Sequence, residues 1–264
     1  MPEGDTVFLT GRRLNEALAG KTLLRAELRH PRLSTVDLAG REVREVATVG
    51  KHILTRFSGD LTLRSHLRMD GSWHLYRPGE RWKRPGHQVR VLLEVPERFA
   101  VGFNLHDLEL VPTDREDTLV GHLGPDLLGD WTPEAEAEAV RRLTAQPDQE
   151  IGQALLDQRI MAGVGNVYKC EVCFLMGASP WSKVSDVDAV KAVKLSRKVL
   201  LANANTVFRN TTGLMGRGKE SWVYERAGRP CFRCGTKIRA AGQGPGVQER
   251  PTFWCPRCQP GPIA

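Results

Sequence analysis

Two sets of residues in this chain could do chemistry by type and spacing alone. The first is Pro2-Glu3 at the N-terminus. Once Met1 is trimmed, the nitrogen of Pro2 becomes the α-amine of the chain. Such an amine has an ordinary pKa of about 8, against about 10.4 for lysine. A secondary amine attacking an aldehyde or a sugar C1′ gives an iminium ion, an electron sink for covalent catalysis. Glu3 supplies a carboxylate beside it. Pro2 followed by Glu3 and Asp5 is also ordinary chemistry for a helix start, so these residues alone leave both readings open. The second set is Cys231-x-x-Cys234 and Cys255-x-x-Cys258, separated by twenty residues. Each pair presents two thiolates from a tight turn, and four sulfurs complete a tetrahedral zinc site with no position left for water. Such a metal is structural. Cys170-x-x-Cys173 repeats the spacing within a predicted helix but has no partner pair, and is assigned to the apolar core.

Composition narrows the setting. The 264 residues carry 38 Lys and Arg against 31 Asp and Glu, for a net charge of +7 and a pI near 9.3. That balance suits a polyanionic partner without demanding one. Hydrophobic residues at 41% and charged residues at 26% describe a globular chain. The opening MPEGDTVFLT lacks the basic and apolar regions of a secretory signal, and no run approaches the roughly 20 apolar residues of a membrane span. The expectation is a cytoplasmic bacterial protein, nucleoid-associated, whose reduced thiols favour metal over disulfide.

The elements that must position these residues fall into three regions: 1–122, 123–226 and 227–260. In the first, Thr6–Leu18 has helical apolar spacing and ends at Gly20. Strand-like runs follow at 22–29, 42–49, 52–57, 61–67, 88–95 and 99–105. The last places Phe99, Val101, Phe103 and Leu105 on one face, and Ser58-Gly59-Asp60 reads as a hairpin turn. Many short strands argue for a sandwich or barrel. In the second region Thr132-Pro133-Glu134 begins a helix. Helices at 151–158 and 164–175 are interrupted by Met161-Ala162-Gly163-Val164-Gly165-Asn166. A longer helix over 186–207 turns Val190, Val193 and Leu200 inward and Lys191, Lys194, Arg197 and Lys198 to solvent. In the third, Gly235 and Pro256 suit the knuckles, Thr252-Phe253-Trp254 reads as a hairpin strand, and Arg233, Lys237, Arg239, Arg250 and Arg257 surround the cysteines with positive charge.

In this order the segments resemble the formamidopyrimidine-DNA glycosylase/endonuclease VIII family of base-excision repair enzymes over nearly the whole chain. The matching stretches are Pro2-Glu3-Gly4, Gly50-Lys51-His52, Ser65-His66-Leu67-Arg68-Met69-Asp70-Gly71 and His122-Leu123-Gly124-Pro125-Asp126. They continue through Leu156-Asp157-Gln158, Ala162 to Glu171, Val223 to Cys231, and Arg250-Pro251-Thr252 to Gln259.

The resemblance implies an α+β multidomain fold: an N-terminal β-sandwich with an opening helix, a helical domain with a helix–two-turns–helix element, and a four-cysteine zinc finger hairpin. It implies a monomer acting on damaged double- or single-stranded DNA. Pro2 would attack C1′ and form a Schiff base, and Glu3 would shuttle protons at the sugar. Lys51 would serve in β-elimination and hold phosphate, while Arg250 would grip the flanking phosphates and assist δ-elimination. Asn166, at a glycine-rich turn, would lie at a phosphate site on a helix N-terminus. Met69 would fill the gap left by the extruded base, and His122 would touch DNA or serve as a hinge. Two departures matter. Asp5 stands where the family often has glutamate, and Phe103–Leu110 lacks the arginine that oxidised-purine members place opposite the orphaned base. With Gly4 and a short stretch between Thr211 and Val223, this points to the endonuclease VIII branch and to oxidised pyrimidines. The alternatives are an 8-oxoguanine glycosylase and a non-catalytic, zinc-dependent protein that binds damaged DNA.

Overall fold

The computed structural model describes residues 2–246 and 249–263. They divide into two compact units between His122 and Leu123.

The first unit opens with α1 (Gly4–Leu18), whose Val7, Leu14, Ala17 and Leu18 form one buried face. Gly11 lets this helix lie close to the sheet beneath it, because a Cβ there would come within 2.2 Å of the Thr48 methyl. The strands that follow are β1 (Lys21–Thr22), β2 (Arg25–Leu28), β3 (Glu42–Val49), β4 (His52–Phe57), β5 (Leu61–His66), β6 (Ser72–Tyr76), β7 (Val89–Val95), β8 (Arg98–Phe103) and β9 (Asp107–Pro112). They build two sheets, ordered β1-β3-β4-β5-β9 and β2-β7-β8-β6, with antiparallel pairing throughout. Val43, Ile53, Phe57 and Leu63 of one sheet share a core with Val91, Leu93, Val95 and Ala100 of the other. This is the expected sandwich with its opening helix. A short α2 (Asp117–Val120) follows.

Three expectations change. The run 22–29 is two strands, one in each sheet, so the chain switches sheets at Leu23-Leu24. The face Phe99-Val101-Phe103 does not continue to Leu105. Val101 and Phe103 join a small cluster with Tyr76 and Leu92, whereas Leu105, beyond the strand end, turns into the main core. Asn104 makes that turn at φ 51°. β6 and β9 were not expected.

The second unit contains α3 (Pro133–Thr144), α4 (Ile151–Leu156), α5 (Asn166–Met176), α6 (Ala189–Asn203) and a hairpin of β10 (Arg239–Gln243) and β11 (Arg250–Trp254). Thr132 caps α3 by accepting the Ala135 N–H at 3.2 Å. Gly177 ends α5 in the left-handed region at φ 76°. α6 starts three residues later than expected because Asp188 is its cap, accepting the Lys191 N–H at 2.8 Å. Leu143, Ile151, Leu155, Tyr168, Val172, Val193 and Leu200 fill the core. Val190, expected inward, is 43% exposed. Ala189, Ala192 and Val193 hold the inward positions of that turn, which puts Val190 on the rim. Among the described residues no helix is long and apolar enough to cross a membrane.

Candidate functional site

In the first unit the N-terminus is held by a helix. Glu3 is the N-cap of α1 in extended conformation, and its carbonyl accepts the Val7 N–H at 3.0 Å. Its carboxylate is fully buried at the positive end of a 15-residue helix, where negative charge is favoured. Asp5, in the first turn, is buried as well. Pro2 is half-buried and precedes them directly. Trimming Met1 therefore leaves an amine whose position is set by a rigid element rather than by a loose tail.

Lys51 stands on a tight turn. Val49 pairs with His52, so Gly50 and Lys51 alone connect β3 to β4. Gly50 sits at φ 59°, the first position of a two-residue hairpin turn, where glycine is the natural occupant. Beside this turn, His52, His66 and Asp107 lie in register across β4, β5 and β9. The two imidazoles meet edge to face with centroids 4.9 Å apart. Burial pushes His52 down to about 3, helped by His66 and Arg64. Burial likewise pushes His66 down to about 4, helped by Arg68 and Lys51. Both rings are therefore neutral near pH 7. Burial works to raise the Asp107 carboxyl, but hydrogen bonds from Arg64 and Arg68 hold it below its ordinary value. These bonds run 2.6 Å from Arg64 Nη2 and 2.8 Å from Arg68 Nε. The row thus anchors Arg68, which at φ 50° starts a loop closed by Gly71 N–H donating to the Leu67 carbonyl at 2.9 Å. Met69, at the tip of that loop, is 67% exposed. His122 is exposed at the end of the unit. Lys51, Met69 and the histidine row gather at one end of the five-stranded sheet.

In the second unit, α5 carries the organising contacts. Asn166 begins the helix, but its side chain is buried and its Nδ2 donates to the Pro251 carbonyl at 2.8 Å. It binds the start of α5 to the hairpin strand that holds Arg250. Lys169 is fully buried, with its ammonium against Thr252 and 3.4 Å from Gln243 Oε1. Glu171 is also fully buried. Its carboxylate accepts the N–H groups of Trp222 at 2.7 Å and of Val223 and Tyr224 at 2.9 Å each, as well as the Thr211 hydroxyl. Burial raises its pKa against those hydrogen bonds. Arg250 is exposed and has no ion-pair partner among the described residues.

Cys231, Cys234, Cys255 and Cys258 bring their sulfurs within 4.8 Å of one another. The Cys231–Cys258 and Cys234–Cys255 separations are 3.9 and 3.4 Å. Tetrahedral bonds of about 2.3 Å to zinc require sulfurs just under about 4 Å apart, so the donor set fits a metal ion. Each knuckle also turns a backbone N–H onto a sulfur at 3.4 Å, Arg233 to Cys231 and Cys258 to Cys255. Gly235 closes the first knuckle at φ 76°. Arg233, expected on the charged surface, lies over Phe174 at 4.4 Å and over Trp222 at 5.7 Å, so it packs the finger onto α5. Cys170 and Cys173 are buried in the core as expected. Burial pushes the Cys173 thiol up to about 12, which keeps it an inert thiol.

None of Arg64, Asp107, Lys169 or Glu171 stands out in the sequence, because each is buried by a partner distant in the chain. The histidines lie inside quoted motifs, yet only the strand register brings them together.

Comparison with known proteins agrees with this arrangement. The formamidopyrimidine-DNA glycosylase N-terminal domain matches residues 1–108. A Streptomyces coelicolor protein named probable endonuclease 8 2 is 54% identical over 99% of this chain and 95% of its own length. A Mycolicibacterium smegmatis protein named DNA-(apurinic or apyrimidinic site) lyase Nei2 is 46% identical over 98% of this chain and 99% of its own. In three dimensions, Lactococcus lactis formamidopyrimidine-DNA glycosylase, solved non-covalently bound to DNA containing an abasic site, superposes with a TM-score of 0.79. It is 24% identical and covers 98% of this chain and 100% of its own, a likeness of fold. By these relatives the chain belongs to the formamidopyrimidine-DNA glycosylase/endonuclease VIII family, on its endonuclease VIII side.

Proposed function

We propose that this protein is a bifunctional DNA glycosylase and abasic-site lyase of base-excision repair, acting on oxidised pyrimidines. The observation that carries the reading is the N-terminus: Pro2 held directly before a buried Glu3 at the start of a rigid helix. The Pro2 nitrogen attacks C1′ of the extruded nucleotide and the glycosidic bond breaks, the base leaving with the electron pair. Opening of the sugar ring gives an iminium between Pro2 and C1′. Glu3 delivers and removes protons at the ring oxygen, since its backbone position allows it to reach no other part of the nucleotide so directly. The iminium withdraws electrons as a proton leaves C2′ and the 3′ phosphate departs, and a second elimination releases the 5′ phosphate. Lys51 serves the first elimination and Arg250 the second, each as a cation against departing phosphate.

The remaining residues position DNA. Met69 enters the stack where the base has left, consistent with its exposure on a loop anchored through Arg68 to Asp107. His122 contacts backbone phosphate. Asn166 acts by fixing the hairpin of Arg250, because its amide is committed to Pro251. The cysteines hold one zinc ion, which closes the hairpin and offers no open position for substrate. The preference for pyrimidines rests on the β8–β9 connection, where Asn104 and His106 stand and no arginine is present.

Borohydride trapping on a duplex with a single abasic site tests the proposal. A covalent adduct mapping to the peptide that begins at Pro2 is expected, and it should vanish when Met1 is retained. An adduct on an internal lysine, or none, overturns it. Excision of thymine glycol faster than 8-oxoguanine is expected in parallel, and the reverse order overturns the substrate assignment.

A further inference from the structure

On the first unit, a cleft of about 250 Å³ lies between α1, the edge strand β6 and the segment after it. It is lined by Thr10, Arg13 and Leu14 on the helix side, and by Trp73, His74 and Lys83 opposite. Its size is slightly below the roughly 300 Å³ at which small-molecule sites begin, which suits one mononucleotide-sized ligand partly in solvent. No carboxylate lines it. Arg13 and Lys83 are exposed, and neither has an ion-pair partner among the described residues. Arg84 stands nearby and donates to the Asp70 carbonyl at 3.2 Å. β6 ends its sheet, so the backbone on that side is not paired by another strand. One wall is therefore cationic and polar, and the other carries an indole and a leucine.

We propose that this cleft binds a nucleotide through its phosphate monoester, with Arg13 and Lys83 on the phosphate and Trp73 and Leu14 beside the base or sugar. Unneutralised lysine or arginine pairs favour phosphate strongly, and the apolar wall adds area that inorganic phosphate cannot use. The same chemistry is offered by a free nucleotide and by the phosphorylated end of a cut strand. His74 reports on the site. Burial first, then Arg84 and Lys83, lower its pKa, so a phosphate seated among those cations should raise it.

Isothermal titration of the full-length protein with dTMP, thymidine, inorganic phosphate, and an oligonucleotide with or without a 5′ phosphate tests this. We expect dTMP to bind at least about tenfold more tightly than thymidine or phosphate, the worth of one charge-assisted contact. Arg13→Glu and Lys83→Glu should each abolish that preference, and the His74 imidazole resonance should move with dTMP in the parent only. A 5′ phosphate that tightens the oligonucleotide tenfold assigns the site to strand ends, and dTMP binding without that gain assigns it to free nucleotides. Equal binding of dTMP and thymidine, equal binding of dTMP and phosphate, or unchanged binding in both variants overturns the proposal. Borohydride trapping through Pro2 should be unchanged in both variants, so its loss or survival reports on the catalytic reading separately.

Discussion

The buried carboxylate of Glu171 offers a quantitative test of how the finger is held on the helical core. It accepts three successive backbone N–H groups, those of Trp222, Val223 and Tyr224, and the Thr211 hydroxyl. Glu171→Ala strands all four donors. A buried N–H without an acceptor costs about 1–3 kcal/mol. Val223 is fully buried while Trp222 and Tyr224 are half-buried, so water relieves two of the three and the sum falls near 3–5 kcal/mol. Removing a buried charge returns part of this, leaving about 2–4 kcal/mol. At roughly 2–4 °C per kcal/mol for a chain of this size, the melting temperature should fall by roughly 5–15 °C. Glu171→Gln keeps one acceptor oxygen for Val223 and Tyr224 but turns an amide N–H toward Trp222 and Thr211. It should fall between the parent and the alanine variant. Thermal unfolding followed by circular dichroism at pH 7.5 decides. An alanine variant melting within about 2 °C of the parent, or a glutamine variant melting below alanine, would refute the reasoning.

Removing a cysteine ligand should unfold the finger locally: Cys255→Ser should lose the one bound zinc ion by elemental analysis and weaken DNA binding at least about tenfold, and a variant that keeps both would contradict the metal assignment. The histidine row predicts acid lability. His52 and His66 titrate near 3 and near 4 when folded but near 6.5 when unfolded, so the unfolded state takes up protons first. Stability is full above pH 6.5 and declines as pH falls toward 4, by about 2 kcal/mol per histidine at pH 5. Replacing both with glutamine should flatten urea-unfolding midpoints between pH 6.5 and 4.5, and an unchanged slope would count against the burial argument. Gly50→Ala forces a left-handed alanine, at a cost of about 1–2 kcal/mol, and shifts Lys51. Strand cleavage should slow several-fold relative to base release in a quenched-flow assay, and equal slowing of both steps would separate Lys51 from the elimination.

Local chemistry made the fold legible where neighbours in sequence decide it. Helix α1, the Thr132 cap and the Gly235 knuckle all depend on residues within a few positions. Strand β9 was readable in principle, since Leu108 and Leu110 alternate with Asp107 and Glu109. The edge strand β6, Ser-Trp-His-Leu-Tyr, leaves four of its five residues half-buried and so lacks the alternation that marks a two-faced strand. The sheet switch at Leu23-Leu24 was hidden because both halves look equally extended. Among site residues, Pro2, Glu3 and the four cysteines announce themselves by type and spacing. Lys51, Met69 and Arg250 were legible only through resemblance, since each is otherwise one ordinary residue among many of its kind.

What no spacing rule could find is the polar framework that sets these groups in place. Asn166 and Lys169, three apart on α5, share a face and reach Pro251 and Thr252 on β11. Glu171, on another face of the same helix, holds 222–224, the stretch that leads into the first knuckle. One helix therefore fixes the finger at both of its roots through buried polar groups, while the sulfurs close its tip. An apolar contact of the same area would tolerate sliding. Each of these hydrogen bonds instead has a defined length and leaves an unsatisfied buried atom if the hairpin shifts. That requirement makes the position of Arg250 on β11 a property of α5, and it explains why burying a lysine and a glutamate two residues apart is tolerated in the core of a domain that has to hold an exposed arginine steady.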